Sequence, residues 1–374
     1  MKILLVSNYE NDRQESMQRF ALLMQRGLSE AGHEVRVRRP AVLAGRLKSS
    51  GQGVGKWLGY IDKFAIFPAA LTRAADWADI VHICDHSNAM YSLHISTRPV
   101  IVTCHDMLAV RGALGEDTDC PGSRTGKLLQ RWIVSGLRRA DRLACVSTAT
   151  FEDVKRIVRA RSLSLQVILN GLNYRYTVLP EEAKQLRLSQ VPRVRPGHFL
   201  LHVGSNLRRK NREGVIRVFA DISRSLDLDL VLAGPQLTPE LLELASSLGC
   251  ADKVIPVVKP ANEILEALYN SAFALFYPSR FEGFGWPLIE AQACGCPVIC
   301  SQCPPFREVV GDSVLMREVD DEDGFATDIA RLAREQQERS ALRQLGLQNA
   351  HRYRPDKMIS AYISLYEDLI HCSN

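Results

Sequence analysis

The stretch FALFYPSRFEGFGWPLIEAQACGCPVICS (273–301) decides the fold. FALFYPS (273–279) has the length and apolar character of a buried strand, and a loop with alternating glycines follows it. Pro287 stands where a helix opens, Gly295 where one closes, and PVICS (297–301) is apolar again. Strand, loop, helix and strand in that order make a parallel sheet with helices on its faces.

The same alternation runs outward in both directions. Strand candidates in the first half are KILLVS (2–7), VRVRR (35–39), IVHIC (80–84), VIVTC (100–104), RLACVS (142–147) and QVILN (166–170). In the second half they are FLLHVG (199–204), LDLVLAG (228–234), VIPVV (254–258) and the two already quoted. Helical spacing fills 16–32, 211–225, 239–248, 262–270 and 287–294. The two prolines of SQVPRVRPGH (189–198) break helix and strand alike, which predicts a boundary there. The expectation is an α/β chain of two Rossmann-like domains, 1–192 and 193–350. A last segment, 351–374, carries a helix that can cross back to the N-terminal domain. Ligands of such sheets sit at the carboxyl ends of the strands, so the site is expected in a cleft between facing sheets.

A length of 374 residues suits two domains, and the balance of hydrophobic and charged residues excludes disordered and fibrous classes. No apolar run approaches the ~18 residues that span a bilayer. The ILLV after Lys2 is short for a secretory leader, and ten cysteines then read as reduced thiols in a cytoplasmic protein. Residues 1–195 hold 29 Lys and Arg against 18 Asp and Glu, a surplus of +11, whereas the remainder holds 18 against 24, or −6. A basic N-terminal half points to an anionic partner, a membrane surface or a phosphate-bearing substrate. No nucleic-acid motif accompanies it, and no G-x-G-x-x-G follows the first strand of either half, which disfavours a dinucleotide dehydrogenase.

Two candidate sites overlap between Glu282 and Cys303. Cys294, Cys296, Cys300 and Cys303 invite a metal reading, but their spacing is not the paired C-x2-C of structural zinc sites. Cys296 and Cys300 flank strand residues, which sets their Cα atoms about 13 Å apart. They read as small buried groups at a helix–strand junction. The other candidate is the loop. Gly283 and Gly285 let a ligand approach the backbone, and the helix start after them favours an anion. Glu290, one turn into that helix, can accept hydrogen bonds from vicinal hydroxyls, and Glu282 can meet a second set beyond the phosphates. A phosphate group between two polyols describes a nucleotide sugar.

Glu282, Gly283, Phe284, Gly285, Pro287, Glu290, Ala293, Gly295, Pro297 and Val298 resemble the E-x7-E signature of glycosyltransferase family 4. The resemblance implies the GT-B fold and retaining transfer of a sugar from a nucleoside diphosphate. It covers nearly the whole chain. HVGSNLRRKNREGVI (202–216) resembles the family's strand-end glycine and basic pair, which implies diphosphate contacts from Gly204, Ser205, Arg209 and Lys210. Ser205 stands where the family often has arginine, so the charge is expected from Arg209 and Lys210. VIPVVKPANEIL (254–265) implies Val258 and Lys259 near the base. VTCHDMLAVR (102–111) implies His105 at the donor sugar, with Asp106 on the acceptor side. The first loop, SNYENDRQESMQR (7–19), lacks the family's paired glycines; Arg13 or Ser16 could substitute there.

Asp117-Thr118-Asp119 and Asp227-Leu228-Asp229 spell the D-x-D of metal-dependent sugar transferases. Arg209, Lys210 and a helix start can serve the diphosphate instead, so no metal or cofactor is expected. KWLGYIDKFAIF (56–67) places aromatic residues on one helical face, which reads as a core face or as contact with a lipid interface. The expected partners are a nucleotide sugar and a lipid-linked or phosphorylated acceptor, used in polysaccharide or glycolipid assembly at the inner face of the membrane. The rival readings are a nucleotide-sugar 2-epimerase of the same architecture and a non-catalytic nucleotide-sugar-binding subunit.

Overall fold

The computed structural model describes residues 1–12, 14–44, 54–159 and 165–373. They form two compact units, Met1–Asn173 with Pro355–Asn374, and Tyr174–Arg354.

In the first unit, strands β1 (Lys2–Val6), β2 (Glu34–Arg38), β3 (Ile80–Ile83), β4 (Val100–Cys104), β5 (Arg142–Cys145) and β6 (Leu165–Val167) pair in parallel. Their order across the sheet is β2-β1-β3-β4-β5-β6. The second unit holds β7 (Phe199–Val203), β8 (Asp229–Gly234), β9 (Val254–Val258), β10 (Ala274–Tyr277), β11 (Val298–Ser301) and β12 (Leu315–Arg317). These also pair in parallel, in the order β12-β11-β10-β7-β8-β9. Inner strands such as β4 and β10 are buried along their whole length, which is why they read as continuous apolar runs. The edge strand β2 instead alternates exposed and half-buried residues.

Each sheet has one point where the chain reverses its direction of growth. In the first it lies between β1 and β3, and in the second between β7 and β10. Ligands of open α/β sheets bind outside the carboxyl ends of the strands at such a point.

The boundary falls earlier than the prolines predict. Tyr174 donates to Glu263 at 3.3 Å, the Thr177 amide donates to Glu266 at 2.9 Å, and Arg187 pairs with the same Glu266 carboxylate. Residues 174–198 therefore belong to the second unit, and the prolines only separate helix Glu181–Leu188 from β7.

The last helix, Pro355–Ser373, belongs to the first unit. Tyr366 and Tyr362, both fully buried, reach His82 and Thr103 on neighbouring strands at 2.6 and 2.8 Å. Helix Glu15–Glu30 presents Gly27 to Ile359, and a Cβ there would lie 2.5 Å from the isoleucine side chain. Burial of the tyrosines and this close approach account for the return.

In 56–67 a helix, Val54–Ile61, runs through a π turn, Asp62–Ile66, into a second helix, Phe67–Ala75. Phe64 packs on Trp132 at 5.1 Å and Phe67 on Tyr91 at 4.9 Å, so these aromatics form a core face. The side chains of Lys56 and Trp57 lie outside the described residues. No helix among the described residues is long and apolar enough to cross a membrane.

Candidate active site

The switch point of the second sheet is occupied by charge. Beyond β7 the chain makes a short 3-10 turn, Arg208–Lys210, and beyond β10 it enters the loop that begins with Pro278. The Arg280 amide donates to the Arg209 carbonyl at 2.7 Å and ties turn to loop. Here the Lys210 ammonium meets Glu282, the Arg209 guanidinium donates to the same carboxylate at 3.1 Å, and the Tyr277 hydroxyl lies 2.9 Å from it. Lys210 also donates to the Tyr277 hydroxyl at 2.6 Å. Both cations named from sequence, Arg209 and Lys210, are thus gathered around the Glu282 carboxylate.

Burial works against the charge on Glu282, but the Lys210 ammonium and then the Arg209 guanidinium override it and hold its pKa at about 2. Burial lowers the pKa of Lys210, against the opposing pull of Glu282. Burial also pushes the Tyr277 phenol well up, and the adjacent carboxylate adds to the effect, so it stays a neutral hydrogen-bonding group.

Behind the cluster stand two residues that sequence reasoning missed. His202, buried in β7, bonds the Phe276 carbonyl through Nδ1 at 3.0 Å and stacks on Tyr277 at 5.9 Å. Burial first, then nearby Arg212, lowers its pKa to about 3, which keeps it neutral. Arg212, 3% exposed, donates to the Gly204 carbonyl at 2.7 Å and the Ala233 carbonyl at 3.2 Å. It braces the strand ends that carry Gly204, where a Cβ would meet His202 and Lys210 at 3.3 Å. The available signal was a polar residue embedded in an apolar run, as in FLLHVG.

The loop ends at Gly285, whose φ of +108° suits glycine, and there a Cβ would lie 2.8 Å from Phe306. Helix Trp286–Ala293 starts at that point and turns its positive dipole end to the loop. Phe284 is buried, with its ring edge-on to Trp286 and Tyr353. Glu290 is 4% exposed and accepts from the Tyr269 hydroxyl at 2.9 Å. The two glutamates thus stand eight residues apart on one loop-and-helix segment, Glu282 against Lys210, Arg209 and Tyr277, and Glu290 against Tyr269.

Other candidates lie around these. Ser205 is half-buried and accepts from the Leu207 amide at 3.5 Å. Val258 is 48% exposed at the end of β9, and Lys259, at φ +45°, donates its amide to the Gly234 carbonyl at 2.7 Å. Asp227 and Asp229 both pair with Arg195, at 3.0 and 2.8 Å. Cys294, Cys296, Cys300 and Cys303 are all buried, and burial raises each thiol pKa.

The first sheet's switch point carries a second polar cluster. Asn8, just beyond β1, donates to Asp85, just beyond β3, at 2.6 Å. Ser87 donates to Asp85 through its amide at 3.0 Å and its hydroxyl at 2.5 Å, and the His86 ring lies 3.2 Å away. Burial opposes charge on Asp85, but its bond to His86 and the histidine's charge hold the pKa well down. His105 stands at the end of β4, 6% exposed, with Nε2 bonded to the Cys84 carbonyl at 2.9 Å. Asp106 accepts from the Leu108 amide at 3.0 Å, and Ser16 is exposed in the first turn of helix Glu15–Glu30. Arg13 lies outside the described residues. Asn8, Asp85 and His86 were not legible from sequence, because 77 residues separate the first two.

Residues 189–348 match the family model described as glycosyl transferases group 1, and residues 17–176 match that of glycosyltransferase family 4. The chain belongs to glycosyltransferase family 4. It is 28% identical over 213 residues to the O-antigen chain mannosyltransferase RfbU of Salmonella typhimurium, a match covering 57% of each chain. It is 25% identical over 327 residues to the D-inositol 3-phosphate glycosyltransferase of Salinispora arenicola, covering 82% of this chain and 72% of the other. The chain thus spans little more than half the length of the first of these relatives. The Anabaena protein HepE, solved in complex with UDP and glucose, superposes with a TM-score of 0.78 at 18% identity. That match covers 99% of this chain and all of the other. The fold is accordingly the GT-B arrangement of two Rossmann-like units.

Proposed function

We propose that this protein transfers a sugar from a nucleoside-diphosphate sugar to an acceptor hydroxyl, with retention of anomeric configuration and without a metal ion. The observation that carries this reading is the cluster of Arg209, Lys210, Tyr277 and Glu282 at the switch point between β7 and β10. Two cations oriented by one carboxylate, beside a helix start, are suited to a diphosphate whose charge grows as it departs. The anomeric carbon–oxygen bond to the diphosphate breaks, the bond to the acceptor oxygen forms, and the acceptor proton passes to a diphosphate oxygen on the same face. Glu290 is assigned to the ribose, Glu282 and His105 to the donor sugar, and Gly204, Ser205 and the 283–285 backbone to the phosphates. Val258 and Lys259 are assigned to the base. The polar cluster at Asn8 and Asp85, with Asp106, is assigned to the acceptor. Similarity to the D-inositol 3-phosphate glycosyltransferase favours a phosphorylated acceptor.

A melting-temperature panel with UDP-, GDP-, TDP- and ADP-sugars identifies the donor, since a ligand of the folded state raises the midpoint. Incubation of that donor without acceptor then separates the readings: a transferase leaves the sugar's configuration intact, whereas conversion at C2 would overturn the proposal. Transfer in the presence of a chelator tests metal independence, and loss of activity there would remove that part.

A further inference from the structure

Away from both switch points, the first unit has a pocket of about 320 Å³ lined by Leu4, Arg36, Arg38, Arg73, Ala70, Ala74 and Trp77. This volume lies at the low end of small-molecule sites, which run from about 300 to 1,000 Å³. Its construction follows from strand periodicity. Glu34, Arg36 and Arg38 alternate with Val35 and Val37, so all three charged residues point to one face of β2. Helix Phe67–Ala75 lies beside that face and supplies Arg73, with Ala70 and Ala74 leaving space.

Three arginines converging on one hollow repel one another, and the local counter-charge is small. Glu34 lies 3.7 Å from Arg36. Among the described residues, no carboxylate pairs with Arg38 or Arg73. The Arg36 guanidinium is held 3.9 Å above the Trp77 ring, which fixes its orientation before any ligand arrives. Edge strands use charged side chains, inward-pointing ones included, to prevent pairing with other sheets, but that purpose does not require a further charge from a neighbouring helix. Here the strand's arginines and the helix's arginine line the same hollow. Three positive charges and one negative leave a surplus of two, which matches a phosphoryl dianion, and guanidinium forks suit its oxygens.

We propose that this pocket is a second anion site, specific for a phosphoryl group and separate from the transfer chemistry. That group can come from a soluble phosphate compound or from an anionic lipid headgroup. The full-length chain is therefore titrated calorimetrically with inorganic phosphate and pyrophosphate, and separately sedimented with phosphatidylcholine vesicles with and without phosphatidic acid. The variants are Arg38→Ala with Arg73→Ala, and Arg73→Glu alone, both at exposed positions. Binding in the soluble arm, weakened about tenfold or more in both variants, supports a soluble phosphate ligand. The same loss confined to phosphatidic acid vesicles supports a lipid headgroup. In either case the melting-temperature rise given by the donor nucleotide stays at the wild-type value. Binding in neither arm, or binding that the variants leave intact, overturns the proposal.

Discussion

The Lys210 ammonium and the Glu282 carboxylate are in contact although 72 residues of chain separate them. The parallel pairing of β7 with β10 brings them together, and Tyr277 and Arg209 complete the set. Removing one member of a buried pair leaves the other charge uncompensated, at a cost of about 3 kcal/mol. Glu282→Gln is therefore expected to lower stability by about that amount and kcat/KM by about a hundredfold or more. Urea unfolding and steady-state kinetics measure the two effects. A variant with wild-type kcat/KM would show that the carboxylate has no part in transfer.

Glu290 offers a different test, because Tyr269 already orients it. If its carboxylate holds donor hydroxyls in ground and transition state alike, Glu290→Gln raises the donor KM about tenfold and leaves kcat nearly unchanged. Tyr269→Phe, which removes only the orienting hydroxyl, shifts KM less. Equal loss in kcat and kcat/KM would instead place Glu290 among the groups that act only in the transition state.

Gly285 couples backbone conformation to the site. Gly285→Ala must accept a left-handed φ and a 2.8 Å approach to Phe306, at about 3 kcal/mol. Gly197 also has a positive φ, +80°, but nothing lies within 4 Å of an added Cβ, so Gly197→Ala costs about 1 kcal/mol. Denaturant unfolding of both variants checks the difference. Equal losses would mean that Phe306 yields without cost.

Buried histidines shape the acid side of the stability profile, His82, His202 and, in the same sense, His105. Burial lowers the pKa of His82 and of His202 from an ordinary 6.5 to about 3. Below the ordinary value the unfolded chain takes up protons that the folded one refuses, so stability falls from about pH 6.5 toward 3. Each histidine adds a slope of about 1.4 kcal/mol per pH unit. Glu282 is also depressed, but its contribution is lost only below its ordinary 4.5, as pH falls through about 2. His86, raised beside Asp85, acts in the opposite sense, so wild type and variant are compared directly. His202→Gln is expected to remove one such slope between about pH 6.5 and 5, read by urea unfolding at several pH values. An unchanged slope would show that His202 titrates normally in the folded chain.

The strands were legible where burial on both faces forces a continuous apolar run, as in VIVTC and FLLHV. β12 was not, because Leu315, Met316 and Arg317 are half-buried at a sheet edge and show neither a run nor an alternation. The prolines at 192 and 196 marked a real break in local structure, but the unit boundary depends on Glu266 and Asn270, which capture residues 177 and 179. In the site, the glutamate loop and the basic pair could be read because each is local in sequence. His202 showed only as a polar residue within an apolar run, and Tyr277 and Arg212 could not be read at all, since these residues matter through the β7–β10 pairing and through strand-end carbonyls. The same holds for Asp85, whose partner Asn8 lies on another strand's end.

Lys210 and Arg209 are assigned to the donor's diphosphate. Calorimetric titration of the nucleoside diphosphate of the identified donor into the wild-type chain and into Lys210→Ala tests that assignment most directly. Binding to the wild type is expected, with affinity at least about tenfold weaker in the variant from the loss of a charge-assisted contact. Equal affinity in a variant that remains folded would contradict it.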